Sequence, residues 1–266
     1  MAEHIPVRGP REVDKLRRAG AAAARILMDL MPAVRPGMTT GELDELAGEL
    51  FKREKCGNAF LGYAGYPGNV CISVNEEVIH GIGGPRVIRD GDVVSLDVGT
   101  IVEGWYGDNA MTVPVGNVSA EVKKLLAVTE EALFRAVGEA RQGNLLEDVC
   151  GAVEDFVRPY GYGIVRDYVG HGVGRHLHED PQVPNYRSRH LSRLRLKRGM
   201  ILAIEPMVNL GSFRVKVLDD EWTVVTEDRL PSAHFEHTVS VSSHGGDILT
   251  ERPRIATPEL LGIEPL

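Results

Sequence analysis

The stretch Gly91 to Met111, GDVVSLDVGTIVEGWYGDNAM, limits what this chain can fold into more than any other part of it. Two β-branched runs flank a turn at Val102-Glu103-Gly104, the pattern of a β-hairpin. Asp97 follows the apolar run Val93-Val94-Ser95-Leu96, and Asp108 comes eleven residues later on the other arm. A strand of that composition buries its side chains, and an unpaired carboxylate buried with them is strongly unfavourable. No Lys or Arg lies between Gly91 and Met111 to neutralise either acid. The plainer alternative is a pair of solvated turn residues, since Asp is common beside Gly. Two facing aspartates without a base point instead to a cation between them.

At 266 residues the chain suits one large α/β domain or two small ones, with enough length for a substantial core. No apolar run approaches the ~18 residues of a membrane span, so a soluble protein with no membrane partner is expected. The start, MAEHIPVRGPREVDK, has no apolar core or small-residue cleavage site, and we read the protein as cytoplasmic. Cys56, Cys71 and Cys150 show no CxxC spacing, which argues against a disulfide framework or zinc finger and for a reducing compartment. A net charge of −8 speaks against DNA as a partner held by charge.

Along the chain, helices are expected from Arg11 to about Val34, from the Thr39-x-x-Glu42 capping box to Gly57, from Ser119 to about Arg141, and from an Asn144 cap with Glu147 to Tyr160. Strands are expected at CISV, at the hairpin, at ILAIEPMV, and at WTVVTEDRL and FEHTVSVS. The chain also shows a faint duplication. TTGELDELAGELFKREKCG parallels GNLLEDVCGAVEDFVRPYG, and RDGDVVSLDVG parallels KRGMILAIEPM, which matches Asp97 to Glu205. Coincidence among common helix and strand patterns is the alternative. Taken as real, the repeat gives an α+β fold of two α/β halves, about 39–115 and 144–242, facing each other across one central site.

Acids and histidines in apolar or Gly-flanked strands number five: Asp97, Asp108, His171, Glu205 and Glu236. Singly, each has an ordinary structural explanation as a loop, strand-end or exposed residue. Together, four carboxylates and one neutral imidazole balance two divalent cations with room for a hydroxide. Oxygen-dominated donors with a single nitrogen suit Mn, Fe or Co as well as Zn, and differ from a Cys/His structural zinc site.

The segments CISVNEEVIHGI, DGDVVSLDVG, GDNAMT, GHGVGRHLHEDPQVPNY, AIEPM, WTVVTEDRLPSAHFEHTV and ILT resemble, in order, the motifs of type I methionine aminopeptidases, from about residue 11 to 250. The resemblance implies the pita-bread fold, with pseudo-twofold related halves around a dinuclear centre, in one catalytic domain over 1–250. It implies removal of the initiator methionine from nascent polypeptides by a metal-activated hydroxide attacking the first peptide bond. The five residues match the family's metal ligands, with Asp108 and Glu236 bridging two divalent ions and Glu205 doubling as proton shuttle. His80 matches a histidine that contacts the substrate amide, and His178 one that polarises the scissile carbonyl. Tyr63, Tyr66, Cys71 and Trp222 match the methionine pocket, whose soft apolar walls suit a thioether. Cys56 and Cys150 are left to helix packing.

Three positions depart from the family's usual pattern. Leu177 stands in the pocket where Phe is common, Asn109 where a small hydroxyl residue is usual, and His234 where Gln is usual. A monomer is expected from the resemblance. Arg187 to Arg198, RSRHLSRLRLKR, holds six basic residues and no acid; a solvated loop is the plainer reading, and a phosphate-facing patch meeting the ribosome the alternative. The last stretch, residues 251–266, carries three prolines and is expected to lie over the surface or be disordered. Two rival readings stand beside this one: proline-directed relatives of the same fold, which usually carry a large N-terminal domain, and a catalytically dead binding module, which would be expected to lose ligands.

Overall fold

A computed structural model describes residues 5–188, 193–262 and 264. Helix α1 (Pro10–Leu30) lies on the long hairpin, Val93–Val102 paired antiparallel with Trp105–Pro114. Its Ala-rich face explains how closely it approaches. A Cβ on Gly107 would come within 2.4 Å of the Ala19 backbone, and the Thr100 hydroxyl donates to the Ala19 carbonyl at 2.8 Å. The hairpin turns on Glu103 and Gly104, both at positive φ (51° and 73°), the pair that a tight twisted turn requires.

Helix α2 (Thr40–Glu54) opens on the expected capping box: Thr39 Oγ1 accepts from Glu42 N at 3.1 Å, and Glu42 Oε2 accepts from Thr39 N at 2.7 Å. Helix α3 (Ala120–Glu139) is capped by the Ser119 hydroxyl. Helix α4 (Leu146–Val157) departs from the expected cap. Leu145 takes that position, its N–H donating to the Asp148 carboxylate, while the Asn144 side chain donates to Glu139 instead. The helix also ends at Val157, with a 3-10 turn over Arg158–Tyr160. No helix of the described residues is long and apolar enough to cross a membrane.

On one side of the hairpin's first arm lie the strands Gly57–Asn58 and Cys71–Val74. A five-stranded sheet forms the second half, in the order Gly246–Ile248, His237–Val241, Ile201–Ile204, Gly170–Gly172, Glu179–Val183. The strand expected at ILAIEPMV is two strands. Pro206 has no N–H to donate, so pairing stops at Ile204 and resumes at Met207–Asn209 in another sheet. A second break, at Phe235-Glu236, separates Ser232–His234 from His237–Val241. Both breaks leave a glutamate at a sheet end.

The halves are joined along the hairpin's second arm. Glu236 N donates to the Ala110 carbonyl at 2.9 Å, and the Thr238 hydroxyl to the Asp108 carbonyl at 2.7 Å. The Thr112 hydroxyl donates to the His234 carbonyl and accepts from the His234 N–H. Residues 108, 110 and 112 thus face 238, 236 and 234, and the acids of the two halves meet by register.

Residues 252–256 of the C-terminal stretch are fastened to α3 instead of lying loose on the surface. Arg252 and Glu130 of α3 form an ion pair whose side chains are both 0% exposed. Arg252 Nη2 also donates to the Ala110 carbonyl (3.0 Å), and Glu130 accepts the backbone N–H groups of Ile255 and Ala256. A long-range partner, absent from any local pattern, draws this proline-containing segment into the core.

Candidate metal centre and substrate pocket

Asp97 pairs across the hairpin with Ala110, and Asp108 with Gly99. Alternation therefore sets the two aspartates diagonally on one face. Gly99 between them leaves room that the Phe60 ring fills; a Cβ there would lie 2.4 Å from that ring. From the second half come Glu205, just past Ile201–Ile204, Glu236, just before His237–Val241, and His171 in Gly170–Gly172. His171 Nε2 lies 3.4 Å from Glu205 Oε1 and 3.9 Å from Asp108 Oδ2. Its Nδ1 is 2.8 Å from the Gly172 carbonyl, which can only accept, so the lone pair of Nε2 faces the acids. Asp108, His171 and Glu236 each offer a donor atom within 4.8 Å of the others.

This cluster is electrostatically unsatisfied as it stands. Burial pushes all four carboxyls up, and Asp108 pushes up each of the other three. Asp97 is raised well above the carboxylate range by burial, then by Asp108 and Glu205; Glu205 by burial and Asp108. Glu236 is raised by burial and the other three acids, with Arg252 opposing. Burial lifts Asp108 to about 7. His171 falls to about 3, through burial and then His178. Asp97 Oδ1, Asp108 Oδ1 and Glu236 Oε1 are buried with no hydrogen-bond partner among the described residues. Unpartnered buried acceptors beside a neutral imidazole are the donor set of a divalent cation, and the residues fit that group.

The cluster forms one end of a cavity of about 230 Å³ whose lining includes all five residues together with Tyr63, Tyr66, Cys71, His80, Leu177, His178 and Trp222. Cys71 is the cross-strand neighbour of Asp97, which sets the apolar wall directly against the acids. Tyr66 is buried, donates to the Gly81 carbonyl at 2.8 Å, and meets Trp222 edge-on. His178 stands at the mouth with Nδ1 2.8 Å from the Tyr63 hydroxyl. His80, in left-handed backbone (φ 59°), lies between Tyr168 and Trp222, and burial followed by His178 lowers it to about 4.

The three departures fall close by. Leu177 is buried and packs in one cluster with Phe60, Tyr66 and Cys71. His234 Nε2 lies 3.8 Å from Glu205 Oε2. Asn109 is buried, with both side-chain polar atoms unpartnered among the described residues. Sequence reasoning missed Phe60, Ala64, Ile79, Tyr168 and Val169 in the cavity lining. Of these only Phe60 carried a signal, its place in the aromatic and glycine-rich run before Tyr63. Cys150 is buried within α4, but Cys56 lies beyond α2, past the left-handed Lys55, and not in a helix.

A model of the family described as Metallopeptidase family M24 matches residues 14–243. Methionine aminopeptidase 1 of Bacillus subtilis is 48% identical over 241 residues, 91% of this chain and 97% of that protein. The crystal structure of methionine aminopeptidase from Thermotoga maritima matches with a TM-score of 0.90 at 44% identity, covering 93% of this chain and 100% of that one. Prolidase from Pyrococcus furiosus is similar in fold, with a TM-score of 0.74 at 23% identity, covering 93% of this chain and 66% of that one.

Proposed function

The chain belongs to metallopeptidase family M24 and has its pita-bread fold, and from that membership we propose how its residues divide the work. Its activity is that of a methionine aminopeptidase, the hydrolytic removal of N-terminal methionine from polypeptides. The observation that carries this reading is a cluster of buried acids with unpartnered oxygens opening straight onto a soft apolar pocket.

Asp97, Asp108, His171, Glu205 and Glu236 would hold two divalent ions (Co, Mn, Fe or Zn). When bound, such a pair supplies a Lewis acid and lowers the pKa of water. Tyr66, Cys71, Leu177 and Trp222 wrap an unbranched thioether, and Phe60 closes the pocket on the hairpin side. The acids at the end of the cavity favour a free α-amine, which restricts entry to the first residue of a chain. Glu205 takes a proton from attacking water and returns it to the leaving amine. Burial keeps His178 neutral. Donation from the Tyr63 hydroxyl, 2.8 Å from Nδ1, would place the ring proton on Nε2, which would then donate to the scissile carbonyl and to the oxyanion it becomes. His80 contacts the substrate amide. Chelation followed by metal add-back, with mass spectrometry of Met-Ala, Met-Leu and Ala-Pro peptides, tests this. Metal-dependent release of methionine alone is expected; cleavage of Ala-Pro or turnover under chelator would overturn it.

Residues 1–250 act as one catalytic domain with halves 39–115 and 144–242, as a monomer. Three free thiols suit the cytoplasm. The described ends of the basic segment 187–198 are fastened internally. Arg187 pairs with Asp155 at 2.6 Å, and Arg195 donates to the Gly143 carbonyl; residues 189–192 lie outside the described ones. Ribosome contact through Arg193 and Arg195 is the second reading. Salt-sensitive co-sedimentation lost on neutralising both would support it, and unchanged binding would discard it.

A further inference from the structure

The segment before α1 crosses the protein beside the cavity mouth and is fastened there at Arg8. Its N–H donates to the Gly199 carbonyl at 2.7 Å, and its guanidinium rests against the Trp105 indole, 5.3 Å from the ring centre. Nη2 donates to Glu179 Oε2 at 2.6 Å, in a pair whose side chains are only 15% and 9% exposed. Glu179 directly follows His178. Its other oxygen accepts the N–H groups of Arg175 (2.7 Å) and His176 (3.2 Å), closing the turn that carries Leu177 into the pocket and His178 to the mouth. A Cβ on Gly174 would lie 2.4 Å from Arg8 Nη2 and 2.5 Å from the Glu179 oxygens, so the ion pair is packed flat on the backbone of that turn.

We propose that Arg8 is a positioning residue for the reaction: through Glu179 it holds the 174–178 turn in the one conformation that presents His178 and Leu177 to a bound methionyl residue. Arg8 is not among the residues lining the principal cavity. Tyr63 steadies the imidazole at Nδ1, but a hydroxyl at one ring nitrogen does not fix the backbone from which the ring projects. The carboxylate of Glu179 fixes it, and Arg8 fixes the carboxylate. Without the guanidinium, the Glu179 carboxylate keeps its two short-range N–H bonds but loses its one long-range side-chain partner; the Tyr106 N–H on the Gly174 carbonyl (3.0 Å) and the Arg175 guanidinium on the Gly104 carbonyl (3.1 Å) still hold the start of the turn, so it is the 176–178 end that loosens. A displacement of ~1 Å at a group that must meet a developing oxyanion costs on the order of a hundredfold in rate, so a modest loosening is felt in turnover.

The proposal rests on the role given to His178 above, and a His178→Ala control separates the two. The full chain, metal-loaded, is assayed on a Met-Ala-Ser peptide as Arg8→Ala, Arg8→Lys, Glu179→Gln and the double variant Arg8→Ala/Glu179→Gln. Amide hydrogen exchange is followed in the chelated protein. For Arg8→Ala we expect kcat to fall at least tenfold with KM within twofold. Arg8→Lys should recover most of the loss, and the double variant should be no worse than the poorer single one. Exchange at Arg175 and His176 should quicken at least tenfold while α1 and α2 keep their protection. Full turnover by Arg8→Ala alongside an inactive His178→Ala would overturn the positioning role alone; full turnover by His178→Ala would remove its premise. Exchange raised throughout the chain, with activity lost only in proportion to the unfolded fraction, would reduce Arg8 to a general stabiliser and equally overturn the proposal.

Discussion

His178 and His80 both line the cavity, yet their surroundings suit them to different tasks. His178 has a hydroxyl at Nδ1 and a free Nε2 at the mouth, whereas His80 is packed between two aromatic rings deeper in. His178→Ala should therefore retain metal binding, read by calorimetry, and lose on the order of 10²–10³ in kcat, the usual effect of removing one oxyanion donor. Tyr63→Phe should show a smaller kcat loss with KM nearly unchanged. The same surroundings set a pH dependence for the metal-free protein. The acids at the centre have raised pKa values, so the folded chain binds more protons than the unfolded one, and their contribution to stability is lost as pH rises through the raised values, about 7 for Asp108. The buried histidines act in the opposite sense. His171 and His234, lowered to about 3, contribute stability that is present above 6.5 and lost as pH falls towards 3. The two effects oppose each other below about 6.5, and only the acids act above it. Thermal melts in chelator should show Tm falling from pH 6.5 to 8, and added manganese should reverse the trend; a flat or rising chelated profile would contradict this. At this scale the acids were legible because a carboxylate in an apolar strand has no ordinary reason to be there. Ile79 and Tyr168 were not, because an apolar residue lining a cavity looks like one lining a core.

Among the elements, the hairpin and the α2 cap could be read locally, since turn chemistry and the Thr39-Glu42 box lie within a few residues of each other. Thr39→Ala should cost about 1 kcal/mol in denaturant unfolding and leave kcat unchanged, as the cap lies outside the cavity lining. The break at Glu205-Pro206 had its cause in plain view in the sequence, but which sheet each piece joins depends on partners far along the chain. The C-terminal strap was illegible for the same reason: Arg252 and Glu130 are 122 residues apart. Arg252→Ala leaves the buried Glu130 carboxylate with only Arg254, at 3.6 Å, as a cationic neighbour and should cost about 3 kcal/mol. In a Glu130→Gln background the same change should cost distinctly less, and additivity of the two by urea titration would show that the pair is not the unit of stabilisation. Because Arg252 also donates to the Ala110 carbonyl, which accepts from Glu236 N, the Arg252→Ala variant should in addition bind manganese more weakly.

For the molecule as a whole, the acids come from two sheets, Asp97 and Asp108 from that of the long hairpin, and Glu205 and Glu236 from strand ends of the five-stranded sheet. What the repeat could not supply is the joint between them. The alternation of Asp108, Ala110 and Thr112 against Thr238, Glu236 and His234 makes one site of two halves, and it rests on backbone and hydroxyl hydrogen bonds that no residue pattern advertises. The proposed metal centre depends on that joint bringing the acids of both sheets together. Crystals grown with manganese, with anomalous diffraction recorded at the manganese edge, test it most directly. The account predicts two peaks enclosed by Asp97, Asp108, His171, Glu205 and Glu236, with Asp108 and Glu236 touching both. A protein active on Met-Ala peptides but showing no peak there, or showing manganese only elsewhere, would contradict it.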